Sequence, residues 1–178
     1  MKILIKSGQI VLIILIFFLF GIGLSCQTDK TTQLTAQELK IYKIILGEKP
    51  KEIVVIDESM VGVFGEISTG KLKEILEGLQ DDTFDNFANV NSTTTSIGDS
   101  TQTTFDYPLV SKVDFERKNL QLNRYYVFSR VGFSNDGKQA VVIFVDNRNP
   151  LGAKGAYFLL GNKNGIWEII QESESWRS

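Results

Sequence analysis

Five carboxylates, Asp57, Glu58, Asp114, Glu116 and Asp146, fall at or near the ends of expected strands. Two such groups held about 5–9 Å apart across a bond are the equipment of glycosidase-type hydrolysis, one giving a proton while the other attacks or activates water. Arg124 and Arg130, beside Tyr125 and Tyr126, suit an acidic or sugar ligand, because a guanidinium fork matches a carboxylate or phosphate. The connector D-N-R-N-P-L-G-A-K-G, with Arg148 and Lys154, has the composition of an anion-binding loop but joins two strands instead of opening a helix. The plain alternatives are solvated charges at sheet ends and, for Arg130, an ion-pair partner or an outward-facing strand residue, since parity separates it from Val131 and Phe133. Histidine is absent and cysteine occurs once, which excludes Ser-His-Asp and Cys-His centres and histidine-ligated zinc. The sequence assigns no catalytic, cofactor-binding or metal-binding residue.

The single cysteine, Cys26, follows a basic start (Lys2, Lys6), an unbroken apolar run from Ile10 to Phe20 and the small-residue stretch G-I-G-L-S. A charged n-region, an apolar h-region and small residues at the cut mark a secretory signal. Residues 22–26, I-G-L-S-C, resemble the signal of bacterial lipoproteins, with Leu24 and Ser25 before the cysteine and Gly23 where an aliphatic residue is usual. The resemblance implies cleavage before Cys26, lipidation of Cys26 and attachment to a membrane through that lipid, facing the periplasm or the surface from the outer membrane. An uncut anchor over Gly8–Leu24, at the short end of what spans a bilayer, is the other reading. Both place the domain outside the cytoplasm.

Residues 1–25 therefore read as a signal peptide, 26–33 as a polar tether and 34–178 as one α+β domain, long enough to bury a core without disulfides. The formal net charge is −2, and loss of Lys2 and Lys6 with the signal makes it more negative, which argues against a nucleic-acid partner.

The elements that must position these residues are legible in part. Thr35 and Glu38 form a capping box ahead of a helix running to about Leu46, with Leu39, Ile41, Tyr42 and Ile45 on its apolar face and Gly47 and Pro50 behind it. Glu52–Asp57 reads as a short strand, and Met60–Ile67 as a second strand or its bent continuation, with Gly62 and Gly65 marking a bulge or close approach. Thr69 caps a second helix whose Leu72, Ile75, Leu76 and Leu79 share a face. Phe84 and Phe87 share one side of a short third helix that has acidic residues in its first turn. Asn91–Thr104 has almost nothing to bury and reads as an exposed loop. It carries two modification patterns, Asn91-Ser92-Thr93 for N-glycosylation and Asp99-Ser100-Thr101 for O-glycosylation of some exported bacterial proteins.

Beyond the loop, Asn135-Asp136-Gly137 and Asn162-Lys163-Asn164-Gly165 predict two hairpins, because such turns require positive φ. Pro150 and Gly152 separate the pairs. Gln139–Asp146 is apolar on both faces and therefore central or covered by helices. Trp167 is expected to pack, and Trp176 to pin the C-terminal tail.

The strand Y-V-F-S-R-V-G-F, its hairpin partner A-V-V-I-F-V, the stretch G-A-Y-F-L-L, N-K-N-G-I-W-E-I-I and a late E-S-W resemble an uncharacterised family of exported bacterial domains. The pattern covers roughly residues 84–178. It implies two to three N-terminal helices packed on a curved antiparallel sheet with a C-terminal β-meander, cystatin-like or NTF2-like in general form, and no particular reaction. Two functions follow: a membrane-anchored envelope module that binds a protein, glycan or small ligand, or a histidine-free envelope hydrolase using paired carboxylates.

Overall fold

The computed structural model describes residues 34–56, 59, 69–96, 106–111, 113–114, 124–148 and 151–177. The signal, the lipid site Cys26, the tether, Met60–Ile67 with Gly62 and Gly65, and Asp99-Ser100-Thr101 lie outside the described residues. The fold is α+β. Helix α1 (Ala36–Leu46) is followed by β1 (Val54–Ile56), α2 (Thr69–Ile75) and α3 (Asp81–Val90). The strands β2 (Leu109–Val110), β3 (Tyr125–Phe128), β4 (Gly132–Phe133), β5 (Gln139–Asn147), β6 (Ala153–Lys163) and β7 (Ile166–Arg177) complete it.

Strand order is β2-β1-β3-β5-β6-β7, with β4 also on β5. The expected antiparallel sheet is in fact mixed, since β1 runs parallel to both β2 and β3. Parallel neighbours need a crossover between them, and the chain between β1 and β2 carries α2 and α3. The long β5–β6–β7 meander is antiparallel, as expected. Its second turn is the two-residue Asn164-Gly165, with φ of 56° and 83°, the geometry that favours these residue types. The Asn135-Asp136-Gly137 turn joins β4 to β5, with Gly137 at φ 66°.

Strand β5 is buried on both faces, as its composition predicts. Val142 and Phe144 join Ile41, Tyr42, Ile45 and Leu46 of α1 in one core, whereas Val141, Ile143 and Val145 join Leu72, Leu76, Leu79 and Phe87 in another. Alternation along one strand thus places α1 on one face of the sheet and the α2–α3 region on the other. Trp167 is buried in the first core, its ring 5.7 Å from that of Phe133. Helix α2 is shorter than the apolar spacing predicts. It stops at Ile75, whose carbonyl accepts hydrogen bonds from Gln171 and Ser173 of β7, and Gly78 at φ 80° turns the chain so that Leu79 is buried from the loop.

The expected single strand Tyr125–Phe133 is broken. Phe128 faces Phe144 while Gly132 faces Val141, so four steps along one strand match three along the other. This is a bulge of one residue, which reverses the facing of everything after it. Gly132 consequently lies against α3, where an added Cβ would stand 2.6 Å from the backbone nitrogen of Phe87. Helix backbone does not yield as a side-chain tip does. Gly132→Ala is expected to lower stability by about 1–3 kcal/mol, the cost of overpacking, measured by urea unfolding; an unchanged midpoint would show that α3 is not seated on β4.

Candidate functional site

Three of the five carboxylates singled out by sequence, Asp57, Glu58 and Glu116, lie outside the described residues. Asp114 and Asp146 are described, and among the described residues the three arginines Arg124, Arg130 and Arg148 form two arginine–carboxylate clusters. Neither is the solvated edge that strand-end charges usually form.

The first cluster is built on the bulge. Arg130, expected on the outward face, is buried at 4% exposure against Glu38 at 1%. The parity that pointed it outward holds only for an unbroken strand. Arg130 Nε donates to Glu38 Oε1 at 2.6 Å, Nη2 donates to Oε2 at 3.0 Å, and Nη1 donates to Thr95 Oγ1 at 3.1 Å. Glu38 still completes the predicted capping box, accepting from Thr35 N at 2.7 Å, and in addition accepts from Val131 N at 3.3 Å. The cap and the ion pair therefore share one side chain.

Asn91 and Thr95, assigned by sequence to an exposed loop, are buried instead. Asn91 Nδ2 donates to Phe87 O and Arg130 O, and its Oδ1 accepts from Arg130 N. The side-chain amide stands in for a missing ladder partner at the bulge. A nitrogen so engaged and enclosed is no glycan acceptor in the folded domain. The signal that could have located this cluster is the position of Glu38, which lies on the same helical stripe as Ile41, Tyr42 and Ile45. A charge in a core stripe requires a buried partner.

An open groove of about 420 Å³ lies beside this cluster. Gln37 and Glu38 of α1, Asn86 and Val90 of α3, and Phe133 and Asn135 at the β4–β5 hairpin contribute to its lining. The hairpin wall is held by α3, since Phe133 N donates to Asn86 Oδ1 and Asn135 N donates to Asp82 Oδ2, each at 2.8 Å.

The second cluster closes the other end of β5. Arg124 precedes β3 and Arg148 follows β5, and both reach Asp146. Arg124 Nε and Nη2 donate to Oδ1 and Oδ2 at 2.7 and 2.6 Å, a bidentate fork. Arg148 Nε and Nη2 both donate to Oδ2, at 3.0 and 2.7 Å. Burial alone would raise the Asp146 pKa, but the hydrogen bonds and charges of the two guanidiniums outweigh it and hold the carboxyl below its ordinary value. Tyr126 stands opposite Asp146 in the β3–β5 ladder. Its hydroxyl is buried without a hydrogen-bond partner among the described residues, and Arg124 lies 5.5 Å from its ring centre. Burial raises the phenol pKa; the charges of Arg124 and Arg148 lower it, and those of Asp146 and Tyr107 raise it.

The structure thus brings together Arg124 and the connector arginine Arg148, which the sequence presents as separate candidates. It parts Arg124 from Arg130. Lys154 faces Asp146 across the β5–β6 ladder, but its amine is 3.5 Å from Glu174. Asp114 belongs to neither cluster, its backbone N–H donating to Ser111 Oγ. Among the described residues, no three side chains of the metal-ligating types gather at one point, and no helix is long and apolar enough to cross a membrane. Compared with models of known protein families, with curated proteins and with solved structures, the chain matches none.

Two outcomes are expected from these clusters. In a double-mutant cycle, Glu38→Gln and Arg130→Met are each expected to cost about 3–5 kcal/mol, because each strands a buried partner. The double variant should lose much less than the sum; simple additivity would show that the two do not act as a pair. The depressed pKa of Asp146 makes its contribution to stability fully present above the unfolded carboxylate value, near 4, and lost as pH falls through the lower folded value. Asp146→Asn is therefore expected to be less stable at neutral pH and to lose stability less steeply below about pH 4. Parallel unfolding profiles for wild type and variant would contradict that.

Proposed function

We propose that the chain is a cell-envelope lipoprotein, held on the membrane through lipidated Cys26, whose folded domain is a binding or interaction module for an envelope protein, glycan or small ligand. The observation that carries the module reading is the state of Asp146. A general acid needs a raised pKa, and a nucleophile needs a free oxygen lone pair directed at substrate. Asp146 has a lowered pKa, and both of its oxygens are engaged by guanidiniums. Such a carboxylate orients arginines; it does not donate protons at neutral pH. Glu38 is enclosed and likewise engaged. The paired-carboxylate hydrolase thus gains no support from these two acids, whereas the groove between α1, α3 and the β4–β5 hairpin offers amides and apolar surface suited to contact.

The support for the anchor is the sequence around Cys26, with its basic start, apolar run and small residues. The proposal extends to the finer form of the domain, a sheet curved about α1 and comparable to cystatin-like or NTF2-like domains. Irregularities opposite Gly155/Ala156 and Leu159/Leu160 in the β6–β7 ladder support that curvature, because bulges bend a strand.

Intact mass and membrane fractionation of wild type and Cys26→Ala test the anchor. Wild type is expected to lack residues 1–25, to carry an acyl-sized mass increment and to sediment with membranes. The variant should lose the increment and the cleavage that depends on it. An unmodified Cys26 in the wild-type protein would overturn the lipoprotein reading, whichever fraction it occupies.

A further inference from the structure

The cluster at Asp146 has one more positive charge than it needs. A single arginine neutralises a carboxylate when its fork spans both oxygens, and Arg124 does this. Arg148 adds a second positive charge, directs both of its bonds to Oδ2, which Arg124 Nη2 also reaches, and has a side chain that is 53% exposed. Two guanidiniums on one carboxylate leave a net charge of about +1. The donors are also in excess. The Nη1 groups of Arg124 and Arg148 and the Tyr126 hydroxyl have no acceptor among the described residues, while the Asp146 oxygens are already engaged. Lys154, on the neighbouring strand, has its own acid in Glu174 and does not relieve the imbalance.

We infer that this end of the sheet is an oxyanion-binding site, in which Arg148 and Arg124, held in place by Asp146, receive a carboxylate or phosphate group of the ligand. Asp146 is the positioning residue. It fixes two long side chains that would otherwise each sacrifice rotamer freedom on binding. Arg124 also lies over Tyr126, 5.5 Å from its ring centre, within reach of a cation–π contact. Arg148 is set by the turn that ends β5, where its backbone N–H donates to Gly152 O at 2.8 Å and Gly152 takes a φ of 96°. The inference rests on the reading of the domain as a binding module and gives it a ligand chemistry: one exposed acidic group, of carboxylate or phosphate type.

The test is a titration of the isotope-labelled full chain in a maltoside detergent, followed by amide and arginine Nε resonances. Sodium phosphate, sodium acetate and sodium chloride are added at matched ionic strength. Saturable shifts at Arg124, Asp146 and Arg148 with phosphate alone assign a phosphate group, and saturation with acetate assigns a carboxylate. Either result is expected to weaken at least about tenfold in Arg148→Gln, the loss of one charge-assisted contact. Lys163→Gln, on the exposed β6–β7 turn, should titrate as wild type. Because Arg148 is half exposed, its variant is expected to retain the wild-type spectrum elsewhere, which the same experiment reads directly. Shifts that never saturate, or that match chloride, or that persist unchanged in Arg148→Gln, would overturn the site. They would leave the envelope reading to the Cys26 experiment, which does not depend on anions.

Discussion

A carboxylate and a guanidinium withdrawn from water together repay their desolvation only when the remaining donors and acceptors around them are also met. Glu38 and Arg130 meet that condition by serving the backbone as well as each other. The bulge between β3 and β4 interrupts the ladder with β5 at Ser129–Val131, and its polar groups need new partners. Ser129 N donates to Ile143 O, and Ser129 Oγ takes the hydrogen of Ile143 N that a strand carbonyl would otherwise receive. The freed Ser129 carbonyl accepts from Tyr42 Oη at 2.8 Å, Arg130 N and O are both taken by the Asn91 side chain, and Val131 N goes to Glu38. Burial foremost keeps the Tyr42 phenol pKa well above its ordinary value, so it remains a donor. Helix α1, the end of α3 and the sheet are thereby fastened at one point, and the reversed parity beyond it lets Phe133 meet Trp167 on one face while Gly132 admits Phe87 on the other.

Much of this was legible where local chemistry decides structure. The Thr35–Glu38 box, the Gly47 stop, the Asn164-Gly165 turn and the two-faced apolar run of β5 follow from capping, positive φ and burial, and they stand where the sequence predicts. Features decided by distant partners were not legible. The parallel seating of β1 depends on which strands the crossover brings beside it. The end of α2 depends on Gln171 and Ser173, about a hundred residues away in the chain. Arg130 shows the sharpest failure: alternation is sound reasoning within a strand, but one inserted residue turns it around. The polar composition misled at Asn91 and Thr95 for a related reason, because Asn and Thr are also the residues that repair an interrupted ladder, whereas Ser92–Thr94 are exposed as expected.

The clusters also differ in what their arithmetic leaves over. Among the described residues one acid meets one base at Glu38, and the cap, the bulge N–H and Thr95 take up further hydrogen-bonding capacity around two almost fully buried side chains. Such an arrangement presents little charge to solvent. At Asp146 one acid meets two bases near the surface, and the acid is the most buried member of the three. In the interior cluster one arginine pairs with one carboxylate, and backbone N–H groups meet the rest of the acid's accepting capacity. A second, half-exposed arginine adds repulsion between like charges and little stability, since exposed ion pairs contribute about 0–1 kcal/mol. What it does add is a fixed, unneutralised fork at the end of a rigid sheet. Rigidity of that kind stabilises a complex more than it stabilises the free fold, because the ordering has been done before the ligand arrives.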